Sequence, residues 1–386
     1  MTKPALFSWD VFCKIVDNHG DIGICWRLCR QLASEQGLSV RLFVDDWLAA
    51  KNIIPQLDPT IEQQSLAGVT VCAWPNDTTL PSATVLETLS CGLPQAYLEK
   101  MVAQQAHWIN LEYLSAEDWV ASFHGKPSPQ AQLPITRHFF FPGFELNTGG
   151  LIREASLLAQ SNALINNTSE QARFWQTLGC EQTIANDPTC LRISLFCYPQ
   201  ANIKNLLESL QRLDQAVTLF FPASLLNSAD SLFPDFEKQD GQRLRKAKLS
   251  VQLLPFLSQT DYDRLLWSCD LNFVRGEDSW VRAIWAGQPF IWQPYLQNEG
   301  THLKKMQAFL QRYTQHANTD VIDLLLGAHN TWSDAPGHDG LAIFNALLHM
   351  AELKTYAAQE SDRLAQQPDL ASKLLCFSEN LKENKV

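Results

Sequence analysis

The pentapeptide Arg275-Gly276-Glu277-Asp278-Ser279 carries more chemistry than any other segment of this chain. It lies between an apolar run, Leu271–Val274, and an amphipathic helical pattern. A strand that empties into the N-terminus of a helix makes an anion site. The first turn of N–H groups has no partner within the helix, and the helix dipole adds positive potential there. Gly276 lets the backbone approach a phosphate closely, and Ser279 offers one more donor. The segment therefore predicts a pocket for a nucleotide's phosphates, in a chain with neither G-x-G-x-x-G nor G-x-x-x-x-G-K-[ST]. Glu277 and Asp278 would repel phosphate. Backbone amides and Ser279 would then hold the anion, while the acids turn to ribose or sugar hydroxyls. Helix capping is the competing account of the same two acids.

A second constellation is the loop Asp17-Asn18-His19-Gly20-Asp21, which follows the first apolar run. Two carboxylates four residues apart in one turn suit a general base or a pair that orients a basic substrate group. A turn aspartate followed by a helix N-cap explains them as well. Phe256, on a loop after an apolar run, has the chemistry to stack a nucleobase, and Gln259 to read its edge; a core position is the other reading of the phenylalanine. Asp261-Tyr262-Asp263 matches the D-x-D by which metal-dependent sugar transferases hold divalent cations. Here it opens the helical run YDRLLWSC, where acidic residues serve the first turn, and the cysteines and histidines show no zinc spacing. No metal site is expected.

These residues need scaffolding, and the chain supplies it twice. Trp9–Val16 reads as a strand; Ile22, Cys25, Trp26, Cys29 and Leu32 then recur at helical spacing until Gly37, and Val40–Val44 is the next strand. That order predicts parallel pairing through a right-handed crossover. Val69–Ala73, Thr84–Leu89 and His107–Leu111 continue the series, and residues 125–150 read as a loop-rich section. A second series runs through Leu191–Cys197, Val217–Phe221, Leu249–Leu254, Leu271–Val274 and Pro289–Trp292, with 227–248 read as a surface excursion and a helical tail from about 340. The fold class is α/β: two Rossmann-like domains facing each other across a central cleft, with residues 1–180 as the first domain, 181–365 as the second and 366–386 as a tail packing back on the first.

Composition narrows the classes of function. A chain of 386 residues that is 46% hydrophobic and 18% charged can bury real cores. No stretch approaches the ~20 uninterrupted apolar residues of a membrane span, and the N-terminus reads as a mature strand, not a signal peptide. The ten cysteines form no CxxC and read as buried free thiols of a reducing cytoplasm. A net charge of −11 argues against tracking a nucleic acid backbone. Neither nucleic acid nor membrane is expected as a partner.

Over nearly its whole length the chain resembles the bacterial elongation factor P–arginine rhamnosyltransferases, the EarP family. The resemblance rests on D-N-x-G-D-I-G at Asp17–Gly23, L-E-T at Glu87 and W-I-N-L-E-Y-L-S-A-E at Trp108–Glu117. It continues through P-S-P-Q at Pro127–Gln130, G-G-L-I-R-E at Gly149–Glu154, and above all R-G-E-D-S at Arg275–Ser279, followed by Tyr295. It implies an inverting, metal-independent transferase of the GT-B fold, needing no cofactor. Such an enzyme moves L-rhamnose from dTDP-β-L-rhamnose to an arginine of elongation factor P in the cytoplasm. The first domain would bind the acceptor and carry Asp17 and Asp21, the second as the proposed general base. The second domain would bind the donor: Phe256 and Gln259 at the base, Tyr198, Glu277, Asp278, Ser279 and Tyr295 toward the diphosphate, with Arg275 and Gly276 in the same block. Asn18, His19 and Glu112 match acceptor-side positions, and His19 stands where the family pattern leads one to expect Phe or Tyr. The competing readings are a GT-B relative that transfers or epimerises another nucleotide sugar, and a non-catalytic nucleotide-binding partner of elongation factor P.

Overall fold

The structure is a computed structural model that describes residues 8–16, 19–180, 187, 189–225, 233, 235–240, 242–334 and 340–383. Asp17 and Asn18 lie outside the described residues. The chain forms two compact units, one running to Ala155 and resuming at Ala365, the other comprising Ser156–Leu364.

The first unit is built on strands β1 (Ser8–Cys13), β2 (Ser39–Val44), β3 (Gln63–Leu66), β4 (Val69–Ala73), β5 (Thr84–Thr88), β6 (His107–Leu111), β7 (Pro127–Pro129) and β8 (Thr136–Phe140). Their order in the sheet is β3-β4-β2-β1-β5-β6-β8-β7. All neighbours pair in parallel except β3 with β4 and β7 with β8 at the two edges. The chain leaves β1 for β2 on one side and later takes up β5 on the other, so the strand order reverses between β1 and β5. In open α/β sheets ligands bind outside the carboxyl ends of the strands at that switch point. The central strands are buried on both faces, as crossover helices require. Asp10 is tolerated inside β1 because it is fully ligated: Arg41 Nε and Nη2 donate at 2.6 and 2.8 Å, and Ser82 and Tyr97 donate as well.

The second unit repeats the plan with β9 (Leu191–Leu195), β10 (Val217–Pro222), β11 (Glu237–Asp240), β12 (Arg243–Lys246), β13 (Leu249–Leu254), β14 (Leu271–Arg275) and β15 (Phe290–Gln293). Their order is β11-β12-β13-β10-β9-β14-β15. Here the order reverses between β9 and β14, which pair in parallel with Phe273 opposite Leu195.

Besides the edge strand β3, absent from the sequence reading, and the end of β1 at Cys13 instead of Val16, three features depart from that reading. The section 125–150 contains strands β7 and β8; their pattern was masked because Arg137, in β8, lies over the rings of Trp108 and Phe139 instead of in solvent. Within 227–248 the described residues include the antiparallel pair β11–β12, with the polar strand Glu237–Asp240 at the sheet edge, where charged side chains suit an open strand edge. The first unit ends at Ala155, not at 180. The helix Thr168–Thr177 carries Phe174 and Trp175 into the core of the second unit, where Trp175 stacks on Phe220 at 4.9 Å. The tail helix Leu370–Glu383 sits in the first unit: Phe377 contacts Phe140, and Lys373 donates to the Leu146 and Thr148 carbonyls at 3.0 and 2.9 Å. All ten cysteines are free thiols.

Candidate active site

Every described candidate of the second unit falls at the carboxyl end of a strand. Tyr198 follows β9, Phe256 and Gln259 follow β13, Arg275 ends β14, and Tyr295 follows β15. Asp278 and Ser279 open the helix Asp278–Ala286, with Glu277 as its N-cap residue. The first helical bond runs from Val281 N–H to the Glu277 carbonyl, so the N–H groups of residues 278–280 precede the intrahelical ladder. Gly276 makes the turn at φ +61°, a conformation that side-chain-bearing residues resist. Its carbonyl accepts from Trp292 Nε1 at 2.7 Å and its N–H donates to the Gln293 carbonyl at 3.2 Å, which ties the turn to β15.

Tyr198, Arg275, Gly276, Ser279 and Tyr295 come together at the β9/β14 switch point. The Arg275 guanidinium lies over Phe196 and Tyr198, 4.4 and 4.5 Å from the ring centroids, and Nη1 donates to the Cys197 carbonyl. Tyr198 meets Tyr295 edge to face at 5.6 Å, and its N–H donates to Gln293 Oε1 at 2.8 Å. Ser279 is buried, and its hydroxyl is engaged at both ends by the backbone of Arg275. Since a hydroxyl has one hydrogen, the donor this residue has for an anion is its amide. Phe256 and Gln259 stand on the same edge at β13, three strands from β14 in the sheet order. Phe256 is 59% exposed and Tyr295 57%, so neither is a core residue. Phe196 and Gln293 were not singled out from sequence. The alternation Phe196-Cys197-Tyr198 after a buried strand was the available signal for the first; nothing local marks the second.

The D-x-D reading loses its carboxylates. Asp261 belongs to the N-terminal cap, where its N–H donates to Ser258 Oγ at 3.1 Å and its carboxylate accepts from the same hydroxyl. Asp263 is buried and holds Arg282 in two hydrogen bonds, 2.9 Å to Nε and 2.7 Å to Nη2. Among the described residues no group of three or more His, Cys, Asp or Glu could hold a metal ion.

In the first unit Asp21 enters the opening turn of the helix Gly20–Ser34, only 5% exposed. Its Oδ2 accepts the N–H of Val16 at 2.8 Å, while Asp45, just past β2, accepts that of Ile15 at 2.9 Å, so one carboxylate from the helix and one from a neighbouring strand end hold residues 15 and 16. Behind it the thiol of Cys13 is pushed well up by its hydrogen bond to Cys25 and by burial, the charge of Asp21 adding to the effect. His19 is the N-cap residue of that helix, and its carbonyl accepts from Gly23 N–H at 2.9 Å. Glu112 directly follows β6.

A glycosyltransferase reading fits this arrangement, and similarity to known proteins supports it. The chain matches the family described as Elongation-Factor P (EF-P) rhamnosyltransferase EarP over residues 9–379. A protein-arginine rhamnosyltransferase of Pseudomonas putida is 44% identical over 378 residues, covering 97% of this chain and 99% of that protein. A solved chain from the structural study of EarP-mediated arginine glycosylation of translation elongation factor EF-P superposes with a TM-score of 0.68 at 34% identity, covering 97% of this chain and 99% of its own. The spinosyn rhamnosyltransferase SpnG complexed with thymidine diphosphate shares the fold at 10% identity, with a TM-score of 0.52 over 96% of this chain and all (100%) of that one. The protein is thus a glycosyltransferase of the GT-B fold. Within that class the chain belongs to the EarP family of protein-arginine rhamnosyltransferases. Among the described residues no helix is long and apolar enough to cross a membrane.

Proposed function

We propose that this enzyme transfers L-rhamnose from dTDP-β-L-rhamnose, with inversion, to an arginine of elongation factor P in the cytoplasm, equipping that factor to relieve ribosomes stalled at proline runs. The observation that carries the donor half is the switch point of the second sheet, where a glycine turn and a helix N-terminus stand beside Tyr198 and Tyr295. The amides of residues 278–280 take the diphosphate, Phe256 stacks the thymine and Gln259 meets its edge. Glu277 and Asp278 hold sugar hydroxyls, and Arg275, braced by two rings, adds fixed positive charge. As the bond to the sugar breaks, charge develops on the leaving diphosphate, and helix-terminal amides stabilise it there. The donor is the only small molecule this chemistry requires.

The first unit provides the acceptor chemistry. A guanidinium stays protonated near neutrality, and its lone pairs are delocalised, so it must be oriented and relieved of a proton as the new C–N bond forms. Asp21, held by the Val16 N–H, serves as the base, and Asp17 pairs with the guanidinium charge. Asn18, His19 and Glu112 complete the acceptor side. Mass spectrometry of elongation factor P after incubation with enzyme and dTDP-β-L-rhamnose tests the whole reading: one added deoxyhexose on an arginine is expected, and an unmodified factor refutes it.

A further inference from the structure

The turn after β5 places two consecutive non-glycine residues, Leu89 and Ser90, at φ 56° and 52°, in the left-handed region that side chains disfavour. It closes with Cys91 N–H on the Thr88 carbonyl at 3.1 Å and Leu89 N–H on the Leu111 carbonyl at 2.7 Å. Asn110, fully buried on β6, clamps it. Asn110 Oδ1 accepts the Ser90 N–H at 3.2 Å, and Nδ2 donates to Ser90 Oγ at 3.0 Å and to Glu112 Oε1. Ser90 Oγ in turn donates to Glu112 Oε1 at 3.1 Å. One oxygen of Glu112 thus receives two hydrogen bonds, while Oε2 has no hydrogen-bond partner among the described residues. Burial raises the Glu112 carboxyl above its ordinary value, and the Ser90 bond and the charge of Arg137 only partly oppose it. A desolvated carboxylate with one pinned and one open oxygen calls for a cationic donor.

Its place in the sheet names that donor. β5 lies between β1 and β6, with Phe12 opposite Glu87 and Thr88 opposite Leu111. The strained turn and Glu112 therefore share the carboxyl edge, at the first sheet's switch point, with the β1 loop that leads to Asp21. Strands spaced ~4.8 Å apart put β6 roughly 10 Å from β1, a span that side chains from both sides reach across.

We propose that Glu112 Oε2 accepts a hydrogen bond from the guanidinium of the acceptor arginine, and that Ser90 and Asn110 are positioning residues that aim it. The inference deepens the acceptor assignment above and rests on it. A guanidinium presents five N–H donors in a rigid fork, so Asp21 can take a proton from one nitrogen while Glu112 holds another. A lysine ammonium, a point charge, lacks that planar spread. The strained turn is then the means of presenting Oε2.

Steady-state kinetics with unmodified elongation factor P test this. Glu112→Gln should raise the acceptor KM about 10- to 100-fold, the loss expected for a hydrogen bond to a charged group. Donor affinity should hold, and the melting temperature should stay within about 2 °C of wild type. Ser90→Gly relaxes the φ angle but deletes the hydroxyl that pins Oε1, so it should raise the acceptor KM while leaving the protein as heat-stable as before; a purely structural Ser90 predicts no KM change. An unchanged KM in Glu112→Gln, or a rise matched by lost donor affinity, overturns the proposal. Wild-type enzyme run in parallel separates the layers. If it modifies the factor and Glu112→Gln keeps its KM, only the role of Glu112 falls; if wild type forms no product, the acceptor assignment and this inference fall together.

Discussion

Ser279 and Arg275 are joined twice: the serine hydroxyl accepts the Arg275 N–H at 3.0 Å and donates its hydrogen to the Arg275 carbonyl. The hydroxyl therefore shapes the turn between β14 and the following helix, which sets where the helix-terminal amides point. Ser279→Ala removes both bonds in a buried place, at a cost of about 1–3 kcal/mol. The expected outcome is a lowered melting temperature together with weaker dTDP-rhamnose binding by calorimetry, with the acceptor KM unaffected. Weaker donor binding at full thermal stability would mean that the hydroxyl meets the phosphate directly.

Asp21→Asn keeps an oxygen that can accept the Val16 N–H, so the β1 loop should retain its shape. It removes the proton acceptor. Transfer to elongation factor P is expected to fall by about 100- to 10,000-fold, the range typical of a lost general base, with donor affinity within a few-fold of wild type. Single-turnover rates beside donor titration check this. An active Asp21→Asn enzyme would shift the base elsewhere.

Much of this was legible from residues alone, for reasons that differ by element. β4, β6 and β13 were read with their bounds because each is a buried apolar run between turn residues. The Arg275–Ser279 turn was legible because glycine and serine between a buried strand and an amphipathic helix admit few conformations. β8 was hidden because its Arg137 charge lies over the Trp108 ring of β6 and its own strand's Phe139, and the first of these is far off in sequence. The unit boundary was hidden for the same kind of reason: Trp175 looks alike in either unit until Phe220 is seen against it. That the Ser279 hydroxyl turns inward to Arg275, and that Asn110 and Ser90 fix one oxygen of Glu112, are facts of local geometry that spacing does not carry.

His329 supplies a pH dependence. It is fully buried in the second unit: Nδ1–H donates to the Leu325 carbonyl at 2.8 Å, and Nε2 has no partner among the described residues. Burial lowers its pKa from 6.5 to about 4, so the folded protein favours the neutral ring. The unfolded chain takes up the proton first. Stability is therefore fully present above pH ~6.5 and declines as pH falls toward ~4, by at most on the order of 3 kcal/mol. Denaturant melts between pH 7 and 4 should show that slope, and His329→Gln should flatten it whatever its effect at pH 7. An unchanged slope would assign the loss to other groups, such as His124, which burial also lowers.

Phe256 offers a way to separate donor recognition from folding. It follows β13 on the loop before the helix Gln259–Ser268, and its ring is 59% exposed. Little core packing is lost with it. A base–aromatic stack is worth about 1–3 kcal/mol, so Phe256→Ala should weaken dTDP-rhamnose and free dTDP binding by roughly 5- to 100-fold. The melting temperature of the unliganded enzyme should stay near that of wild type. Phe256→Trp keeps an aromatic face and should restore binding; if both variants bind the nucleotide like wild type, the base lies elsewhere on the sheet edge. The comparison must use dTDP as well as the sugar nucleotide, because a ring that instead contacts rhamnose would leave dTDP affinity unchanged while lowering that of the donor.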